Sequence, residues 1–267
     1  MGTAHQTQNN AEPRAEWNPD LSGARAALRM QDDERLSRGL QPARVRECTL
    51  VGHAHPTGDT PMAAKLTVPI SEQQIRALKV GDQVLLNGVV FTARDAGHKY
   101  MIDSFVKGTC PDSEKEMYEV LKEGLKGGVI YHCGPVVKKR DDGKYEFVAA
   151  GPTTSIREEP YQADVIGHFG VRAVIGKGGM RDKTLKGCQE HGAVYLHAIG
   201  GAAPLIAECC KEVLDVYKLD FGVPEAFWKL HVEDFPCVVT MDSHGQSVHD
   251  KVRTDSEARL QQLLAAG

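Results

Sequence analysis

The sequence predicts an α/β protein in which β-hairpins come first and strand–helix alternation follows. Three observations point there. Between residues 63 and 150, short apolar runs are separated by turn-forming pairs, Asn87-Gly88 and Asp142-Gly143 among them. From Thr153 onward, runs of small and β-branched residues alternate with stretches of helical spacing. The chain has 267 residues, 41% hydrophobic and 25% charged, an ordinary globular balance that can fill one large or two small domains.

Residues 1–45 are rich in Gln, Asn, Glu, Asp, Arg and Ala. They read as an extension, disordered over 1–22 and with a short amphipathic helix over 23–40. Residues 46–62 are a linker, and the compact domain is expected over 63–250. A strand at 66–69 precedes a helix at 72–78, with Ser71 as its cap. Strand 83–86 runs into Asn87-Gly88, a strong hairpin signal, so 89–93 is expected to return antiparallel and to deliver Arg94, Asp95 and His98. A lysine-rich helical insert at 113–126 ends at Gly127-Gly128, and strand 129–132 closes at Cys133-Gly134-Pro135. A second hairpin, 136–139 with 145–149, turns at Asp141-Asp142-Gly143.

The alternation then runs helix 163–170, strand 173–176, helix 182–191, strand 193–198 and helix 204–213, with Pro204 suited to a first turn. Residues 225–232 fit a helix end or a strand equally. A last strand spans 236–242, and 251–267 is a polar helical tail with Leu260, Leu263 and Leu264 on one face. No repeat or break divides 63–250, so both portions are expected to share one core.

Net charge is only −4, so no strong field recruits nucleic acid, and no basic amphipathic or membrane-spanning stretch points to a membrane. The seven Cys, at 48, 110, 133, 188, 209, 210 and 237, are odd in number and lack CxxC spacing. That excludes a disulfide framework and a zinc ribbon and fits a reducing, cytoplasmic setting. The polar N-terminus does not resemble a secretory signal.

The chemistry concentrates in turns after strands. Gly151-Pro152-Thr153-Thr154-Ser155-Ile156-Arg157 follows one strand, Arg94 follows another, and Lys177 lies in Gly176-Lys177-Gly178-Gly179 after a third. Arg grips a carboxylate through two parallel hydrogen bonds and Lys adds a mobile charge, so three such cations suit a small dicarboxylate. The bland alternative pairs each with a local acid: Arg94 with Asp95, Arg157 with Glu158 or Glu159. The glycine loop lacks phosphate-loop spacing. Thr153 and Thr154 have no standard base beside them, and the competing reading makes both turn caps. Arg157, four residues on, could stabilise an alkoxide-like Thr153 if the turn enters a helix. The pair His53 and His55 sits in a polar linker without further metal ligands. Cys209-Cys210 reads as small buried residues within a helix. His132 and Cys133 stand near the site, but nothing in the sequence activates Cys133.

Five motifs carry a resemblance: Arg94-Asp95-x-x-His98-Lys99, His132-Cys133-Gly134-Pro135, the Gly151–Arg157 turn, Gly176-Lys177-Gly178-Gly179-Met180 and Ala198-Ile199-Gly200-Gly201-Ala202-Ala203. Together they resemble the β subunit, or C-terminal domain, of iron–sulfur-dependent class I fumarase, and the closely similar β subunit of L(+)-tartrate dehydratase. The resemblance covers roughly 63–250 and leaves out the first 45 residues and the 113–126 insert. It implies a swivelling β/β/α domain and reversible hydration of fumarate to L-malate. Ala198-Ile199-Gly200-Gly201 leans toward fumarase over tartrate conversion to oxaloacetate. It further implies Thr153 as the base for the C3 proton, Arg94, Arg157 and Lys177 as carboxylate clamps, and His98 as a substrate-site residue supporting Arg94. The 4Fe-4S cluster is expected on a partner α subunit and not on this chain, which holds no metal ligands of its own. A homodimer of β domains and a non-catalytic dicarboxylate-binding or regulatory module remain open alternatives.

Overall fold

A computed structural model describes residues 63–265; the expected N-terminal extension, its helix at 23–40 and the His53/His55 pair lie outside them. The chain opens with β1 (Ala64–Thr67), α1 (Glu72–Ala77) and β2 (Gln83–Thr92). Ser71 caps α1 as expected: Gln74 N–H donates to its hydroxyl, and the Gln74 side chain reaches back to the Ser71 backbone. Helix α2 (Asp95–Met101) continues into a π turn, Ile102–Val106. A 3₁₀ turn leads into α3 (Lys115–Leu125), then β3 (Val129–Tyr131). The hairpin β4 (Val136–Lys139) and β5 (Tyr145–Ala149) follows, then the 3₁₀ turn Ser155–Glu158. Next come α4 (Gln162–Phe169), β6 (Ala173–Gly176), α5 (Asp182–His191), β7 (Val194–His197), α6 (Ala203–Cys209) and β8 (Cys210–Tyr217). The 15-residue strand β9 (Phe227–Met241) and α7 (Val248–Ala265) end the described chain.

Strands β1, β2, β3, β6 and β7 run parallel in that order. Strand β9 pairs antiparallel with β2 along one edge and with β7 and β8 along the other. The ladder β2-β3-β6-β7-β9 therefore returns to β2. On β3, β6 and β7 the side chains divide by parity. Val129, Tyr131, Ala173, Ile175, Val194 and Leu196 face a core shared with Trp228, Leu230, Phe235 and Val239 of β9. Ile130, Val174 and Tyr195 face a second core shared with Met101, Leu121, Leu125, Ile166 and Phe169 of the helices. Parallel strands buried on both faces need near-continuous apolar sequence, which these three have.

The α/β class, the β4–β5 hairpin and the alternation from α4 to β7 match expectation. Four readings do not. There is no hairpin at Asn87-Gly88: β2 runs straight through it, with Thr67 of β1 paired to Asn87. The pair marks an irregularity opposite β9 instead. Gly88 adopts φ 107°, and the Asn87 side chain accepts the Asp234 N–H at 2.9 Å. Helix α2, absent from the sequence reading, starts one residue after Arg94. Residues 113–126 are no surface insert: Met117, Leu121 and Leu125 of α3 are buried in the helical core, making it the crossover from β2 to β3. Helix α6 ends at Cys209, and residues expected to continue it become β8. There Val213 and Val216 pack on the core beside β9, and cross-strand pairing overrides local helix preference. Consequently Cys209-Cys210 sits at a helix-to-strand junction. The ambiguous 225–232 stretch is strand from Phe227. The C-terminal helix projects Leu260, Leu263 and Leu264 into solvent.

Candidate active site

The carboxyl ends of β2, β3, β6 and β7 lie side by side, because these strands are parallel neighbours. Open α/β sheets bind ligands outside these ends. Each end delivers one of the sequence motifs: Arg94 after β2, His132-Cys133-Gly134 after β3, Lys177 after β6 and Gly200-Gly201 after β7.

The 150–155 segment is threaded through them. Tyr131 Oη donates to the Ala150 carbonyl. Thr153 N–H donates to the His132 carbonyl at 2.6 Å, Lys177 N–H to the Thr153 carbonyl at 3.3 Å and Ser155 N–H to the Lys177 carbonyl at 3.1 Å. Thr153 is half-buried and is thus held between β3 and β6 and next to Lys177. Gly176 is required here, because a Cβ would collide with the Ser155 hydroxyl tucked beneath it. Thr154 occupies the N-cap position of the 3₁₀ turn, yet its side chain makes no capping bond.

The cations are paired differently from the local alternatives. Arg94 Nη2 lies 3.3 Å from Glu225 Oε1, not against Asp95, and Gly134 leaves room for its guanidinium. Glu225 also accepts Ala96 N–H at the start of α2. Asp95 pairs instead with Arg157, Nε to Oδ2 at 3.0 Å. Glu159 is not a partner of Arg157 at all. Its carboxylate caps α5, accepting N–H bonds from Arg181, Lys183 and Thr184 and the Thr184 hydroxyl. Lys177 makes no ion pair among the described residues, and its stem passes the Gly200 backbone.

Beneath this rim lies a buried polar network. His98 is fully buried, Nδ1 2.9 Å from the Arg94 carbonyl, so it braces Arg94 from below and is closed to solvent, unlike the expected substrate-site residue. Gln162 Oε1 lies 2.9 Å from His98 Nε2 and 2.8 Å from His132 Nε2. His132 Nδ1 lies 2.8 Å from Ser155 Oγ, which accepts the Tyr195 hydroxyl at 2.9 Å. Burial holds both imidazoles below the usual histidine range, His132 well below it. Glu158, equally buried, is pushed up to about 8 by burial and by Asp95. Burial thus favours the uncharged form of all three groups.

The sequence motifs contain His132 and Ser155 but gave them no task, and Glu158 was considered only as a partner for Arg157. Gln162 and Tyr195 carry no sequence signal: one opens an ordinary helix, the other fills an ordinary strand. Among the described residues no group of three His, Cys, Asp or Glu side chains is placed to hold a metal ion. Cys133, Cys188 and Cys237 are buried thiols raised by burial, Cys188 to about 12. They stand apart, after β3, in α5 and in β9, so among the described residues they do not form a cluster-ligand set. No helix among the described residues is long and apolar enough to cross a membrane.

Fold and site define an α/β domain that gathers cations and a hydroxyl at the carboxyl ends of its parallel strands. The family model described as Fumarase C-terminus matches residues 44–252, and the chain belongs to that family. It is 52% identical over 198 residues to a protein of Geobacillus stearothermophilus named for class I fumarate hydratase, covering 74% of this chain and 36% of that one. It is 39% identical over 197 residues to a protein of Methanocaldococcus jannaschii named for L(+)-tartrate dehydratase subunit beta, covering 73% and 95%. To L(+)-tartrate dehydratase subunit beta of Escherichia coli K12 it is 35% identical over 184 residues, covering 68% and 85%. The chain thus spans about a third of the first relative's length.

Proposed function

We propose that this chain is the β subunit of a hydro-lyase that reversibly hydrates fumarate to L-malate, its residues 63–250 acting as a swivelling β/β/α domain. The supporting observation is that Arg94, Thr153 and Lys177 stand beyond the carboxyl ends of neighbouring parallel strands, with Arg157 tied to Asp95 beside Arg94, in a chain of the fumarase C-terminus family. In this reading Arg94, Arg157 and Lys177 hold the substrate carboxylates, with His98 keeping the Arg94 turn in place. Thr153 Oγ1 takes the C3 proton. Removing that proton builds negative charge on the adjacent carboxylate, and preorganised cations there lower the barrier. Lys177 and Arg157 also favour the alkoxide-like form of Thr153. A 4Fe-4S cluster would belong to a partner α subunit, and the reaction would run in the cytoplasm on a complex of the two.

A second substrate, tartrate, has one observation in its favour. Two of the similar proteins, 39% and 35% identical to this chain, are named for L(+)-tartrate dehydratase subunit beta. Anaerobic co-expression with a cluster-bearing α chain, followed by assays with malate, fumarate and tartrate, separates the readings. Malate–fumarate turnover is expected. Turnover of tartrate alone would reassign the substrate, and no turnover of any in an iron-loaded complex would leave only a dicarboxylate-binding module.

A further inference from the structure

We propose that Glu158 is a neutral carboxylic acid that donates its proton to Asp95, and that this bond orients the Arg157 guanidinium. Glu158 is thereby a positioning residue, and its role as such rests on the reading of Arg157 as a clamp.

The geometry carries the argument. Asp95 is a bridge with two ends. Its Oδ2 takes Arg157 Nε at 3.0 Å. Its Oδ1 is buried and finds no donor, and both oxygens of Glu158 are in the same condition. The turn Ser155–Glu158 packs against α2, which Asp95 opens, and a side-chain contact with Asp95 is, after burial, the next cause of the raised Glu158 carboxyl. Orphaned buried acceptors are costly, and two facing carboxylates more so. One added proton, shared between the pair, satisfies an oxygen on each side.

The surrounding groups decide which carboxyl carries it. Asp95 faces the Arg157 cation, Nε to Oδ2 at 3.0 Å, which favours placing the added proton on the other carboxyl. Glu158 is fully buried, and the groups around it are Asp95 of α2, His132 after β3, Tyr195 of β7 and Arg157 of its own turn. His132 Nδ1 is 3.9 Å away, but burial keeps that imidazole neutral, so it supplies no counter-charge. Arg157 already has Asp95. The proton therefore resides on Glu158, consistent with a carboxyl raised to about 8. Since only Arg157 Nε is engaged by Asp95, the outer nitrogens of the guanidinium remain for a ligand. Loss of the Glu158 proton would place a second negative charge beside Asp95 and draw the guanidinium inward.

The sign for folding follows. A carboxyl raised from 4.5 to about 8 contributes stability that is full below pH 4.5 and declines as pH rises toward 8.

Carbon- and nitrogen-detected NMR on the full-length chain tests this. The Glu158 carboxyl is expected to titrate near pH 8, and the Arg157 Nε–H signal to shift with the same midpoint. Glu158→Gln, whose amide can still donate to Asp95, should remove both transitions while keeping a folded spectrum. A Glu158 carboxyl titrating in the ordinary range near 4.5, or an Arg157 signal indifferent to it, overturns the proposal whatever the enzyme assay shows. In an active complex with the α chain, substrate KM should rise about tenfold as pH passes 8, equivalent to ~1.4 kcal/mol of binding, with kcat less affected. Glu158→Gln should abolish that rise. If the NMR transitions appear but no substrate turns over, the hydro-lyase reading fails and the Glu158–Asp95–Arg157 linkage stands.

Discussion

The body of the parallel sheet and the polar layer beneath its carboxyl rim are buried to the same degree and built from opposite chemistry. In the body, Val129, Ile130 and Tyr131 of β3 and Ala173, Val174 and Ile175 of β6 are all inaccessible to solvent. In the segments that follow the strands, His132, Ser155, Glu158 and Gln162 are as inaccessible but polar, and Glu158 and Gln162 have buried atoms without partners. Burying polar groups incompletely paired is unfavourable by a few kcal/mol each. The rim can sustain this because it hangs from a body closed on both faces and tied by β9 on both edges. Stability and function thus occupy adjacent layers, and local rules are broken only in the second.

The comparison can be broken from either side. The largest effect is expected for Thr153→Ala at the rim. Turnover should fall by about 10²–10⁴-fold, as for loss of a proton-transfer group, with stability changed by less than about 0.5 kcal/mol. Retained turnover would remove Thr153 as base, and a large loss of stability would blur the two layers. Trp228→Ala, in the body, should do the reverse. This indole is fully buried and packs edge-on against Tyr145 and Phe147 at 5.1 and 5.7 Å. Its loss should lower unfolding free energy in denaturant by about 3–5 kcal/mol. Lys177→Ala should raise KM and lower kcat together, costing about 2–4 kcal/mol of transition-state stabilisation. An effect on kcat alone would show that Lys177 does not hold the ground-state carboxylate. The smallest effect sharpens the boundary. Glu159→Ala removes the α5 cap and should cost about 1 kcal/mol in thermal or denaturant unfolding, leaving KM unchanged even though its neighbour Glu158 acts on the clamp through Asp95.

Much of the body was legible because its signals are local. β-branched runs and flanking glycines marked β6 and β7, and the Asp182–His191 helix had its boundaries in the sequence. Asn87-Gly88 misled because hairpin preference describes an isolated turn. Between β1 and β9 the same two residues serve better as a bulge, with the Asn87 side chain holding Asp234. Residues 210–213 misled for a related reason, since only the free edge of β9 makes them a strand. At the rim, Arg94, Thr153, Arg157 and Lys177 stood out as polar residues after strands. Their partners did not: Asp95 was matched with its sequence neighbour Arg94, while in space it serves Arg157.

The sequence by itself determined the class, the alternation of the second half and the family, because apolar periodicity and ordered motifs survive without coordinates. The tertiary structure decided which acid meets which cation, and that Glu158, His132 and Gln162 are sealed beneath the rim. Those are consequences of desolvation and of contacts across 25 to 130 residues of chain, such as Thr184 with Glu159 and Ala96 with Glu225, which no local pattern encodes.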